Sequence, residues 1–312
     1  KMAIHLMDVI HKMKETKILN IGTSQESEDH SHWWRRDPTK YFKILKNILG
    51  TEVITIGPER LNKYYKSINK KSAEKIAKKW IDEAVKVVEP SNKEILDAAK
   101  MYLAIKKLME ETKANAVTID CLPLVYGKKI QAYPCLAFFQ LNNNGSTGVC
   151  EADLNAVITQ LLIKYLTGRP GFVSDPVIDT NTGQVIYAHC VAPTKLFGKN
   201  GPSVPYVIRS HAEDRKGASI QVRMPSNEIV TTIKVSIFDK KLAIHQGRSI
   251  GNIDGDRACR TKLVVEANAK KIFKNWDHAT FGWHRVTVYG NFREDFCNMA
   301  TLLGLEVVEE DK

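Results

Sequence analysis

Around Gly168-Arg169-Pro170-Gly171 the hydrophobic pattern of this chain changes its period. Before that turn, short apolar runs alternate with long amphipathic stretches. KILNIG (17–22) leads to a helical pattern at 39–49, opened by Asp37-Pro38. EVITIG (52–57) leads to a helical stretch at 72–88, with Ile76, Trp80, Ala84 and Val88 along one face, and Pro90 stops it. A second helix at 93–112 runs into AVTID (116–120), and a further apolar segment follows at 134–139. A strongly apolar helix at 151–167 closes the series. Strands separated by helices of this length pair in parallel, because a parallel connection needs a crossover. Residues 1–168 therefore read as a doubly wound α/β parallel-sheet domain. Beyond the turn, segments 184–189, 219–224, 230–236, 261–266 and 285–289 are short, rich in Val, Ile and Thr, and bounded by Gly, Asn and Asp. Residues 169–312 read as a β-rich, mainly antiparallel C-terminal domain, ending in a helix at 293–303 and a strand at 305–308.

The chain has 312 residues, 43% of them hydrophobic, enough for two cores. No run of about 18 apolar residues occurs, and the first residues mix Lys, His and Asp among the apolar positions, unlike a signal peptide. A soluble protein is expected, with no membrane partner. The six cysteines form no C-x-x-C pair, so reduced and mostly buried thiols, and hence the cytoplasm, are the simplest reading. The formal net charge of +11 is spread over the polar faces of the helical stretches at 63–79 and 100–113, which favours a solvated surface over a nucleic-acid site. Neither G-x-G-x-x-G nor G-x-x-x-x-G-K-[ST] is present, so dinucleotide and nucleoside triphosphate binding are not indicated. The chain opens inside a helical pattern, which suggests that residues preceding it were removed or belong to another domain.

Carboxylates and histidines concentrate between Cys150 and Asp214: Cys150-Glu151-Ala152-Asp153, Ser174-Asp175-Pro176, Ala188-His189-Cys190 and Ser210-His211-Ala212-Glu213-Asp214-Arg215. Each has an ordinary structural use. Glu151 would favour the start of the apolar helix, Asp175 could cap a turn, His189 could be a hydrogen-bonded core residue at a strand end, and His284 could be packed before the last strand. Taken together, two carboxylates and one or two imidazoles form an oxygen-rich ligand set that suits a divalent ion such as Mn²⁺ better than a thiolate zinc site would.

Cys150-Glu151-Ala152-Asp153-Leu154-Asn155-Ala156, Phe172-Val173-Ser174-Asp175, Ala188-His189-Cys190 and Trp283-His284-Arg285-Val286-Thr287-Val288-Tyr289-Gly290 resemble the signature of the L-fucose isomerase and L-arabinose isomerase family. The resemblance covers the middle and C-terminal domains of that family. It implies a metal-dependent sugar isomerase acting by enediol proton transfer, with Mn²⁺ or another divalent cation as cofactor. Glu151 and Asp175 are implied as paired catalytic acids and metal ligands, and His284 as a further ligand. His189 resembles the extra metal histidine of the arabinose-type members. The resemblance also implies a homo-oligomer whose neighbouring subunit and preceding α/β domain help to complete the sugar pocket.

Trp33, Trp34, His211 and Arg215 are candidate sugar-binding residues. Aromatic faces stack on sugar C–H surfaces, and the position after the first strand is where open α/β sheets bind ligands. Two other readings remain at this stage. One is a noncatalytic carbohydrate-binding relative lacking the preceding domain. The other is an RNA-binding protein using His32-Trp33-Trp34-Arg35-Arg36.

Overall fold

A computed structural model describes residues 2–22 and 37–312. It combines a parallel sheet carrying helices with an antiparallel β-barrel. The first helix, α1 (Met2–Lys14), precedes β1 (Lys17–Ile21), α2 (Pro38–Leu49) and β2 (Glu52–Ile56). Helices α3 (Pro58–Ser67) and α4 (Lys70–Glu83), the two-residue strand β3 (Lys86–Val87) and α5 (Asn92–Thr112) lead to β4 (Ala116–Ile119). Then come α6 (Cys121–Tyr126), α7 (Cys135–Asn143), β5 (Thr147–Val149) and α8 (Leu154–Thr167). Strands β2, β1, β4 and β5 form a parallel sheet in that order. Alternation along β1 sends Ile18 into one hydrophobic core and Leu19 and Ile21 into another, so both faces of the sheet are covered.

Local signals set the helix ends. Asp37 accepts from the Lys40 amide at the start of α2, and Gly50 closes it in the left-handed conformation. Ser91 and Glu94 form a capping box on α5. Three expectations need correction. The helical stretch at 72–88 breaks after Glu83: the Val85 and Val88 amides donate to the Tyr206 and Ile208 carbonyls, so the Val-rich tail leaves the helix to become β3. The segment at 134–139 opens helix α7. The apolar helix begins at Leu154, capped by Asp153, and does not include Glu151.

The remaining strands are β6 (Phe172–Asp179), β7 (Gln184–His189), β8 (Tyr206–Arg209), β9 (Ser219–Val222), β10 (Ile229–Ser236), β11 (Lys241–Asn252), β12 (Thr261–Ala267), β13 (Arg285–Tyr289) and β14 (Glu306–Glu309). Short helices α9 (Ala269–Lys274) and α10 (His278–Phe281) precede β13, and α11 (Arg293–Leu303) precedes β14. The order β10-β13-β6-β7-β12-β11, closed by β10 pairing with β11, makes an antiparallel barrel without free edges among these strands. A bulge at Ser249/Gly251 bends β11, whose first half pairs with β14 and whose second half pairs with β12. Strand β8 pairs with β3 in parallel and with β9 antiparallel, making a separate three-stranded sheet in the order β3-β8-β9.

Helix α8 lies between sheet and barrel. Its Ile158, Leu161 and Leu162 share a core with Val149 of the sheet and with Ile233, Val235, Val286 and Val288 of the barrel. The chain enters the barrel through Gly171, where a Cβ would overlap the Val286 side chain.

A buried network of charged and polar groups runs through the barrel. Arg285 donates to Glu310 at 2.8 Å, Glu310 accepts from His245 at 2.7 Å, and His245 Nε2 lies 2.5 Å from the Tyr187 hydroxyl. Arg285 and Glu310 are both wholly buried. Burial alone would raise the Glu310 carboxyl, but Arg285 and His245 outweigh it and hold it down at about 2. A depressed acid contributes stability above its unfolded value of 4.5 and loses it as pH falls through about 2. Glu310→Gln should therefore cost about 3–5 kcal/mol by stranding a buried guanidinium. In chemical denaturation the variant should also show a flatter stability curve than the parent over that acid range.

Candidate functional site

The carboxyl ends of β4 and β5 open on a cleft of about 120 Å³ whose far wall is the barrel. This is the edge of a parallel sheet at which ligands bind. Glu151 reaches it from the link between β5 and α8. Glu151 and Ala152 both adopt left-handed backbone conformations, with φ of 64° and 52°. Such conformations are costly for residues with a Cβ and persist where surrounding structure enforces them. Here the Ala152 amide donates to Ile119 of β4, and the Asp153 side chain is held by the Ala156 amide at 2.8 Å. Glu151 thus points away from the helix it was expected to begin.

Asp175 sits within β6, opposite Ala188 of β7, and not in a turn. Pro176 is tolerated beside it because the pairing of β6 with β13 ends at Ser174, leaving no ladder partner for the missing amide. His189 closes β7, and His284 immediately precedes β13.

These four residues converge. His284 Nε2 lies 3.7 Å from Glu151 Oε2 and 3.6 Å from Asp175 Oδ1, and His189 Nε2 lies 3.7 Å from Glu151 Oε1. Ligand atoms of Glu151, His189 and His284 all fall within 4.8 Å of one another. Donors bound about 2.1 Å from one cation lie roughly 3.0–3.6 Å apart, so a small contraction would seat a divalent ion among them.

The contacts on the far side of each ring distinguish the two imidazoles. His284 Nδ1 donates to Asp153 at 3.0 Å, which fixes the proton on Nδ1 and turns the Nε2 lone pair toward Glu151 and Asp175. Asp153 is in turn paired with the buried Lys234 at 2.5 Å. Burial pushes the Lys234 ammonium down, and Asp153 only partly restores it. In His189, Nδ1 lies 3.2 Å from the Val191 amide and Nε2 faces Glu151; burial opposes the charged ring, but Glu151 and Asp175 outweigh it and push its proton affinity up to about 9. Glu151, His189 and His284 thus form the set of mutually close ligand atoms among the described residues, and Asp175 stands beside them, 3.6 Å from His284. Lys234 escaped sequence reasoning, and Asp153, quoted there beside Glu151, was given no role of its own.

His211 lines the cleft, with its ring centroid 5.2 Å from that of Tyr133 and its Nδ1 3.4 Å from Asp214 Oδ1. Its loop is pinned by hydrogen bonds from Tyr133 to Asp214 and from Tyr126 to Glu213. It closes at Gly217, whose left-handed backbone lies so near Tyr133 that a Cβ would enter the ring. Arg215 is exposed and does not line the cleft. Trp33 and Trp34 lie outside the described residues. The cysteines, dispersed in sequence, are all unpaired, yet Cys121, Cys135, Cys150, Cys190 and Cys259 line this one cleft. No helix among the described residues is long and apolar enough to cross a membrane.

No protein-family model matches the chain, and no curated protein matches it.

Burial lowers the proton affinity of His284, but Asp153, Glu151 and Asp175 outweigh it, so the ring binds its proton more tightly than the ordinary value of 6.5 implies. A cation at Nε2 must displace that proton. Divalent-cation affinity, measured by calorimetry, should climb as pH rises above 6.5, by up to about tenfold per pH unit for each proton released. Affinity that is flat or falls with pH would rule out His284 as a ligand.

Proposed function

We propose that this chain is the catalytic and barrel portion of a metal-dependent aldose–ketose isomerase acting on a free sugar of the L-fucose or L-arabinose type. The observation that carries this reading is the convergence of Glu151, Asp175 and His284 at the sheet's carboxyl edge, with Asp153 holding His284 in the ligand tautomer. In the same reading the cation is Mn²⁺ or a similar divalent ion. The unit is a homo-oligomer, and the unpaired thiols suit the reducing cytoplasm.

A divalent cation held by Glu151, Asp175 and His284 would polarise the sugar carbonyl and acidify the neighbouring hydroxyl. The chain's own residues supply the rest. Glu151 and Asp175 differ in surroundings: Glu151 faces both imidazoles and is one-third exposed, whereas Asp175 is nearly half exposed. Such a difference lets two carboxylates divide the work of proton removal and return between C1 and C2. His189 holds a proton on Nε2 beside Glu151, where it restrains the carboxylate and partly neutralises it. His211 and the Tyr133 ring form an aromatic wall of the cleft suited to the C–H face of a sugar.

Glu151→Gln and Asp175→Asn keep shape but remove the basic carboxylate. Each should lower kcat by at least about 10²-fold with a much smaller change in KM. Elemental analysis of the same variants separates loss of the ion from loss of the base. Solvent deuterium should enter the product at C1 or C2. Sugar turnover that survives both substitutions would remove these carboxylates from the mechanism.

A further inference from the structure

A second cavity, of about 470 Å³, lies at the opposite end of α8 from the candidate centre. The helix has 14 residues, about 20 Å, and the cavity lies along its second half, from Gln160 onward. Four cations line it, Lys12, Lys164, Arg169 and Lys199, and no carboxylate does. Lys12 is engaged by Asp8 at 2.6 Å, and Arg169 donates to the Tyr289 carbonyl at 2.5 Å. Lys164 and Lys199 have no carboxylate within ion-pair distance among the described residues. The carbonyl end of α8 supplies only about half a negative charge, far short of the cations gathered there. Burial and the neighbouring Lys199 together lower the Lys164 ammonium to about 8.

Two residues in the wall of the cavity also carry unmet hydrogen-bonding needs, at atoms shielded from solvent. Thr147 Oγ1 and Gln160 Oε1 are buried without a hydrogen-bond partner, and both residues line the cavity. The orientation of the Gln160 amide is determined by its surroundings. Asn142 donates to the Gly148 carbonyl, which makes its Oδ1 an acceptor for both the Gly148 amide and Gln160 Nε2, at 2.9 and 2.8 Å. Gln160 Oε1 is therefore the free atom, and it calls for a donor. A bare oxyanion would satisfy the lysines but not this acceptor.

We propose that this cavity binds a small phosphate monoester bearing free hydroxyls, with Lys164 and Lys199 on the phosphoryl oxygens, Thr147 donating to them, and Gln160 accepting from a ligand hydroxyl. No covalent change is involved.

Calorimetric titration of the full chain with glycerol phosphate, inorganic phosphate and glycerol tests the assignment. Glycerol phosphate should bind saturably and more tightly than inorganic phosphate, and glycerol should not bind. Lys199→Met, in an exposed loop, and Lys164→Met should each weaken glycerol phosphate on the order of tenfold or more. The melting temperature of Lys164→Met should be unchanged or higher, because a poorly solvated cation is removed. Absence of saturable glycerol phosphate binding, or binding undiminished in both variants, would overturn the proposal. Inorganic phosphate binding as tightly as glycerol phosphate would overturn the hydroxyl contact at Gln160.

Discussion

The Asp153 carboxylate ties together the parts of this molecule. One oxygen caps α8 through the Ala156 amide, and the other meets Lys234 of the barrel and His284 before β13. Asp153 and Lys234 are almost fully buried, so neither charge can be left to water. A buried ion pair stabilises little against an apolar replacement, but removing one partner is severe. Its larger effect is on register. Helix α8 can sit against the barrel in one way only if Asp153 is to find both partners, and that placement brings Glu151 of the sheet edge opposite Asp175, His189 and His284 of the barrel.

The strained link at Glu151 and Ala152 follows from the same constraint. With Asp153 committed to the cap, the chain leaving β5 must turn within three residues, and the left-handed conformations at Glu151 and Ala152 accomplish this. The turn directs the Glu151 side chain across the cleft instead of along the helix. Unfavourable backbone geometry is thereby held by a buried ion pair and a helix cap, a pattern common where side chains must be aimed.

Much of the α/β part was legible because its signals are local. Ser91 and Glu94 announce the start of α5, and Gly50 and Gly168 mark helix ends. Legibility failed where pairing is distant. The Val-rich tail after Glu83 looks helical until Tyr206 and Ile208 offer strand partners more than a hundred residues later. The long strand β11 carries Gly247 and Gly251 and a mixed polar pattern, which disguise it as loop until the bulge is seen. At the site, Glu151, Asp175, His189 and His284 could be named as candidates from residue type and resemblance. Their partners could not. Lys234 is 81 residues from Asp153 and Arg285 is 25 from Glu310, and a lysine or arginine in a Val- and Thr-rich strand reads as solvent-facing. The gathering of five cysteines around the cleft was equally invisible, since their spacing follows the topology of sheet and barrel together.

The proposed centre is tested most directly by an anomalous difference map from crystals of the full chain grown with Mn²⁺. One peak is expected about 2.0–2.3 Å from Glu151, Asp175 and His284 Nε2, with Asp153 still bonded to His284 Nδ1. Mn²⁺ bound elsewhere with these three side chains uncoordinated, or bound after His284 has turned away from Asp153, would contradict it.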